Sequence, residues 1–229
     1  MKTLTTLIVV LLTTLSFAQI DCRPYVPQEK GAKWEVTSYS AKDKKTGRTV
    51  YELVDKTESG KKTTYVIKTL GFDDKDKETY EGSFEAYCND GHFEFNMEMM
   101  MNGEQMAAYK DMDVEMDASE FVIPTMDESV GTALPDGELN VAIANNGMTM
   151  MNMKVNVTDR TVDSREEITT DAGTFDCILL SQKVKTKMVV NIESNTKEWY
   201  SENVGMVRSE SYNKKGKLTG YSVLTKLGE

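Results

Sequence analysis

The feature that most constrains this chain is its punctuation. Turn-forming clusters recur at short intervals: "KDKKTG" (42–47), "ESGK" (58–61), "DDKDKE" (73–78), "NDG" (89–91), "PDG" (135–137), "NNG" (145–147), "DAG" (171–173), "ENVG" (202–205) and "NKKGK" (213–217). Between them lie runs rich in Val, Thr, Tyr, Ile and Phe, which suit a pleated, half-buried surface. Gly supplies the positive φ angle that tight hairpin turns need. The pattern predicts an all-β antiparallel meander of about ten to twelve strands, forming a strongly curved sheet, half-barrel or open barrel, with a closed barrel as the alternative.

One short helix is expected in "GEQMAAYKDM" (103–112), with Met106 and Tyr109 on one face. The span 112–138 is the least regular and reads as a loop capping one side. The units "KDKKTGRTVYELV" and "YNKKGKLTGYSVL" share their turn chemistry. No linker rich in Pro, Gly or Ser interrupts the chain, so residues 19–229 are expected to form a single domain.

The first residues carry one positive charge at Lys2, an apolar run from Leu7 to Leu12, and Ser16 and Ala18 at positions −3 and −1 of a cleavage site. This is the pattern of a secretory signal peptide over 1–18, too short to serve as a membrane anchor. Gln19, Ile20 and Asp21 precede Cys22 and do not form a lipobox, which needs a small residue before the cysteine and an aliphatic one at −3. The expected product is a soluble periplasmic or extracellular chain starting at Gln19, not a lipoprotein.

Export implies an oxidising compartment, so three cysteines suggest one disulfide and one thiol. The sequence leaves three pairings open. Cys22 with Cys88 is favoured because both sit near strand ends or loops, whereas Cys177 falls inside an apolar strand as a small hydrophobe. The formal net charge of −10 and the lack of a basic patch make nucleic acid and anionic lipid poor partners.

Of fifteen methionines, twelve lie between Met97 and Met153. Alternate residues of a strand share a face. Phe93, Phe95, Met97, Met99 and Met101 therefore form one apolar face, opposite His92, Glu94, Asn96 and Glu98. Met151, Met153, Val155 and Val157 form another. Met148 and Met150 have the opposite parity, which predicts a bulge near Met150. In 176–192, Ile178, Leu180, Val184, Met188, Val190 and Ile192 alternate, with Gln182 and Thr186 interrupting and a turn expected inside. Thioethers spaced Met-x-Met could bind Cu(I). Their continuity with Phe93 and Phe95 instead points to core or to a concave apolar binding surface, where flexible methionine suits irregular shapes.

Several chemistries are disfavoured. A single histidine, His92, argues against histidine triads and multi-histidine metal sites. The chain has no phosphate loop, C-x-x-C or nucleophile elbow. Paired carboxylates such as Glu166–Glu167 do not identify a glycosidase on their own. "DMDVEMD" (111–117) lacks the glycine-bearing loop of an EF-hand. Trp34 with Tyr39, and Trp199 with Tyr200, read as core or closure packing. No catalytic residue, metal or cofactor is expected.

Three blocks carry a family likeness: "CRPYVPQEKGAKWEVTSY", "VTDRTVDSREEITTDAGTFDC" and "EWYSENVGMVRSESYNKKGKLTGYSVL". Together they resemble the TapB-like family of exported Gram-negative proteins, relatives of a widespread periplasmic domain of unknown function. The resemblance implies a large curved antiparallel sheet and no activity or catalytic residues. The expected function is non-enzymatic binding of an apolar small molecule, or of an apolar segment of an envelope protein. The candidate surface comprises Phe93, Phe95, Met97, Met99, Met101, Met151 and Met153. A filled-core interaction protein is the alternative, and Cu(I) handling a third. Oligomeric state stays open.

Overall fold

Among the described residues, thirteen strands pair into one antiparallel sheet. The structure is a computed structural model describing residues 22–89, 91–100, 109 and 111–228. The strands are β1 (Lys33–Ser40), β2 (Lys45–Ser59), β3 (Lys62–Asp73), β4 (Glu78–Asn89), β5 (His92–Asn96), β6 (Asp113–Ala118) and β7 (Glu120–Ile123). They continue as β8 (Gly137–Asn145), β9 (Met148–Thr170), β10 (Gly173–Lys187), β11 (Asn191–Ser201), β12 (Gly205–Asn213) and β13 (Leu218–Leu227). Their spatial order is β6-β8-β9-β10-β11-β12-β13-β1-β2-β3-β4-β5-β7.

The two edge strands, β6 and β7, are consecutive in the chain and separated only by Ser119. Ser119 donates its backbone N–H to the Glu138 carbonyl of β8, and its own carbonyl accepts from Met97 N–H, just past β5. One crossing strand thus bonds to β8 with its first half and to β5 with its second. The sheet curls into a nearly closed barrel whose edges meet at one residue, so few ladder groups stay unpaired there. The all-β antiparallel expectation holds. The two short strands beside Ser119 raise the count, and they occupy part of the span expected to be a loop.

Three hairpins repeat one turn. The side-chain oxygens of Ser40, Asp73 and Asn213 each accept the backbone N–H groups two and four residues on. The third residue after each, Asp43, Asp76 and Gly216, has positive φ (57°, 61° and 73°). The shared turn chemistry expected for two units therefore occurs three times, on β1–β2, β3–β4 and β12–β13. The predicted bulge is also present: Ile143 pairs with Met151 and Ala144 with Thr149, leaving Met150 unpaired. The expected turn inside 176–192 falls between Lys187 and Asn191. Met188, Val190 and Ile192, which continue the apolar alternation on paper, lie exposed at this hairpin.

Inward residues such as Leu53, Ile67, Leu139, Ile143, Ile178 and Leu224 fill the interior. One end of the barrel is floored by the N-terminal segment. The Cys22–Cys88 disulfide, with a Cα–Cα distance of 5.7 Å, ties that segment to β4. Tyr25 donates to the Pro124 carbonyl and lies edge-on to Phe93 and Tyr200, both at 5.8 Å. The loop 124–136 covers the same end: Gly131 and Leu134 donate to the Val162 and Arg160 carbonyls, and Arg165 donates to the carbonyls of Met126 and Glu128. The expected cap is therefore confined to 124–136. The helix expected over 103–112 lies mostly outside the described residues, and Tyr109, Asp111 and Met112 form turn and bend. The helical element described is a 3-10 turn at Met97–Met100. The signal-peptide segment 1–18 also lies outside the described residues.

Candidate functional site

The alternation starting at Phe93 ends earlier than its pattern suggests. β5 stops at Asn96, so only Phe93 and Phe95 share a strand face, and Met97 opens the 3-10 turn. Met97 is fully buried, and its Sδ accepts a weak bond from Ser119 Oγ at 3.5 Å. It packs where β8 begins: a Cβ placed on Gly137 would lie 2.5 Å from that sulfur. Met99 is half-buried, and Met101 lies outside the described residues. Met151 and Met153 are half-buried opposite Ile143 and Val141 of β8. Tyr109 points its hydroxyl at Met151 Sδ, 3.9 Å away. The candidate residues therefore divide. Phe93, Phe95 and Met99 converge on one space, whereas Met97, Met151 and Met153 pack along the β5–β8–β9 seam.

That space is an apolar cavity of about 110 Å³ above the Tyr25 plug. Trp34 and Tyr51 stack at 5.2 Å on one side, with Phe84 edge-on to Tyr51 at 6.5 Å. Tyr200 and Met206 close it from the opposite strands. Burial pushes the Tyr51 hydroxyl up to about 12. The cavity is well below the ~300 Å³ of ordinary ligand pockets. It suits a small apolar group and not a whole lipid.

Beside it lies a buried polar network that the sequence reading did not single out. Arg160 is 2% exposed. Its guanidinium donates to Gln182 Oε1 at 3.2 Å, the Pro135 carbonyl at 2.7 Å and the Val122 carbonyl at 2.8 Å, and lies 3.5 Å over the Phe121 ring. Gln182 Nε2 then donates to Glu198 Oε1, whose other oxygen accepts from Tyr200. Burial raises the Glu198 carboxyl and pushes the Tyr200 hydroxyl well up. Two signals were present. Gln182 breaks an apolar alternation, and Arg160 sits within the long β9 run. Cys177 is a buried free thiol, its pKa pushed up to about 12 by burial.

The outer face offers less. His92 is exposed, as are Asp113, Glu115 and Asp117 along β6. Over β6, β8 and β9 an open groove of about 840 Å³ is lined by Glu115, Asp117 and Lys154 together with apolar Met116, Ala142, Met188 and the candidate residue Met153. Among the described residues, no three His, Cys, Asp or Glu side chains are grouped to hold a metal ion, and no helix is long and apolar enough to cross a membrane.

These features define a class: a single-sheet antiparallel barrel, plugged at one end and carrying a small aromatic cavity. The chain is similar to a crystallised Bacteroides fragilis protein described as a putative exported protein with a YmcC-like fold. Identity is 27%, covering 91% of this chain and 100% of that one, with a TM-score of 0.77. It shares its fold with a crystallised putative lipoprotein of Parabacteroides distasonis at 23% identity, covering 90% and 99% of the two chains, with a TM-score of 0.78. No curated protein matches. A family model described as DUF3108-like matches residues 29–224, and the chain belongs to that family.

Proposed function

We propose that this is an exported, non-enzymatic binding protein that holds a small apolar group inside its barrel, either the end of a ligand or a side chain of an envelope partner. The observation that carries the proposal is the 110 Å³ cavity, walled by Trp34, Tyr51, Phe84, Phe93 and Phe95. An enclosed apolar cavity of about 150 Å³ accepts benzene or xenon, and this pocket is similar in size and lining but partly open. Titration of benzene into the folded protein, followed by NMR, should shift resonances of the Trp34 and Phe93 rings. Shifts spread evenly over the surface, or none, would overturn the proposal.

The cavity's small volume also favours a second reading, an interaction protein with a filled core. Native mass spectrometry of protein recovered from its own host separates the two, since only the binding reading expects an added mass. Export is proposed to proceed by cleavage after Ala18, without acylation. Cys22 supports this, because its sulfur is bonded to Cys88 and cannot also carry a thioether lipid. An intact mass carrying an acylated Cys22 would refute it.

A further inference from the structure

The inner wall changes character above the cavity. On β1, Trp34 and Val36 face inward, and Ser38 and Ser40 continue the same face by alternation. Cross-strand pairing extends two rows from them. Ser38 pairs with Ser222, Ser222 with Ser209, and Ser209 with Glu198. Ser40 pairs with Gly220, Gly220 with Ser211, and Ser211 with Thr196. Four adjacent strands, β1, β13, β12 and β11, thus present serine, glycine and threonine to the barrel interior, with the Ser38 and Ser222 hydroxyls bonded to each other at 2.9 Å and the Ser40 hydroxyl accepting from its own turn. The inner face of β8 carries Leu139, Val141 and Ile143 instead.

Two observations turn this wall into more than a run of small residues. Ser38, Ser209, Ser211 and Ser222 stay half-buried although they face inward, so open space lies in front of them. Thr196 is 9% exposed, and its hydroxyl is a buried polar atom with no hydrogen-bond partner. Such a group normally finds a partner. The wall also holds one fixed acceptor, the Glu198 carboxylate, positioned by Gln182 and Tyr200. Apart from Glu198 these two rows carry no charged side chain.

We propose that this wall receives an uncharged, multiply hydroxylated head group, as on a sugar or glycerol, of an amphiphile whose apolar end enters the aromatic cavity. The proposal rests on the cavity reading above and names its ligand class. Serine and threonine hydroxyls both donate and accept, so they match a ligand hydroxyl in either sense. The Glu198 oxygens accept from such hydroxyls, and two rows without a cationic side chain give an anionic head no counter-charge.

The test is calorimetric titration of the intact, disulfide-bonded protein with hexyl β-glucoside, hexanoate, hexylamine and benzene. Expected are glucoside binding at least tenfold tighter than either charged probe, and at least a tenfold loss in Thr196→Val and Ser222→Ala, with benzene binding unchanged in both. Near-UV circular dichroism verifies that the variants fold, and Thr196→Val removes only an unpartnered hydroxyl. If benzene binds while the glucoside shows no preference over the charged probes, the proposal fails and the cavity reading survives. Preference for hexylamine would overturn it in favour of a cation held by Glu198. Failure of benzene and glucoside together would overturn both.

Discussion

Arg160 offers the sharpest test of how the barrel end is held. Arg160→Met keeps much of the apolar stem and removes the guanidinium. The Pro135 and Val122 carbonyls lose their donors, as does Gln182 Oε1. Each buried acceptor left bare costs about 1–3 kcal/mol, and the amide of Gln182 can turn, so the two carbonyls set a loss of roughly 2–6 kcal/mol. The stack on Phe121 adds about 2 kcal/mol when desolvated. Against this stands relief of desolvation. Burial lowers the Arg160 pKa from 12.5 to about 10, which corresponds to about 3 kcal/mol. The net loss should centre near 3 kcal/mol, a large part of the ~5–15 kcal/mol total of a folded protein.

Urea unfolding followed by tryptophan fluorescence, with the disulfide intact, measures this directly. Arg160→Lys should lose nearly as much, because an ammonium cannot serve acceptors held in a planar fork. Hydrogen exchange should quicken first in 124–136, whose Pro135 carbonyl the guanidinium holds. A loss under ~0.5 kcal/mol with an unchanged m-value would refute the reasoning, since it would mean these acceptors are satisfied without the arginine.

Three further outcomes follow from the same packing. Reducing the Cys22–Cys88 disulfide, which spans 66 residues, should cost about 2–4 kcal/mol in thermal or urea unfolding, while Cys177 should react with a thiol reagent only after denaturation. Gly137→Ala should destabilise by about 1–3 kcal/mol, because its methyl meets Met97 Sδ and the Phe121 ring, and Met97→Val should recover part of the loss. Glu198 is raised by burial, so between its ordinary range and its folded value the folded chain holds the extra proton. Wild-type stability should therefore fall as pH rises above the ordinary glutamate range, and urea midpoints of Glu198→Gln over the same pH series should lack the slope.

Much of the fold was legible because hairpins are local. Turn residues sit within a few positions of the strands they join, so Asp73 and Asn213 announce their own geometry. The bulge at Met150 was legible for the same reason, as a parity change within one strand. The barrel closure was not. It depends on Ser119 bonding to Met97 on one side and Glu138 on the other, and nothing near residue 119 encodes two distant edges. The strand face from Phe93 was over-extended because period-two alternation continues on paper into a 3-10 turn. The Arg160 network was missed because burial of a guanidinium needs acceptors from 122, 135 and 182, residues brought together only by the fold. The hydroxyl wall escaped notice because serine and threonine on a strand read equally well as a solvated face.

The methionines now have a physical account that alternation alone could not supply. They concentrate where the sheet is least regular: the 3-10 turn holding Met97 and Met99, the single-residue crossing beside Met116, and the bulge at Met150 followed by Met151 and Met153. In a regular sheet, β-branched and leucine side chains meet facing rows of fixed spacing, as Leu139, Val141 and Ile143 do on β8. At the seam, the crossing strand changes partners at Ser119, so the spacing between facing side chains is no longer repeated. An unbranched chain with three rotatable bonds adapts to such gaps, whereas valine or isoleucine leaves voids or clashes. Met97 illustrates the point, its sulfur lying where only a glycine at 137 leaves room. Methionine density in this chain therefore marks the closure of the barrel, while the proposed ligand surface is built of aromatic residues below and hydroxyls above.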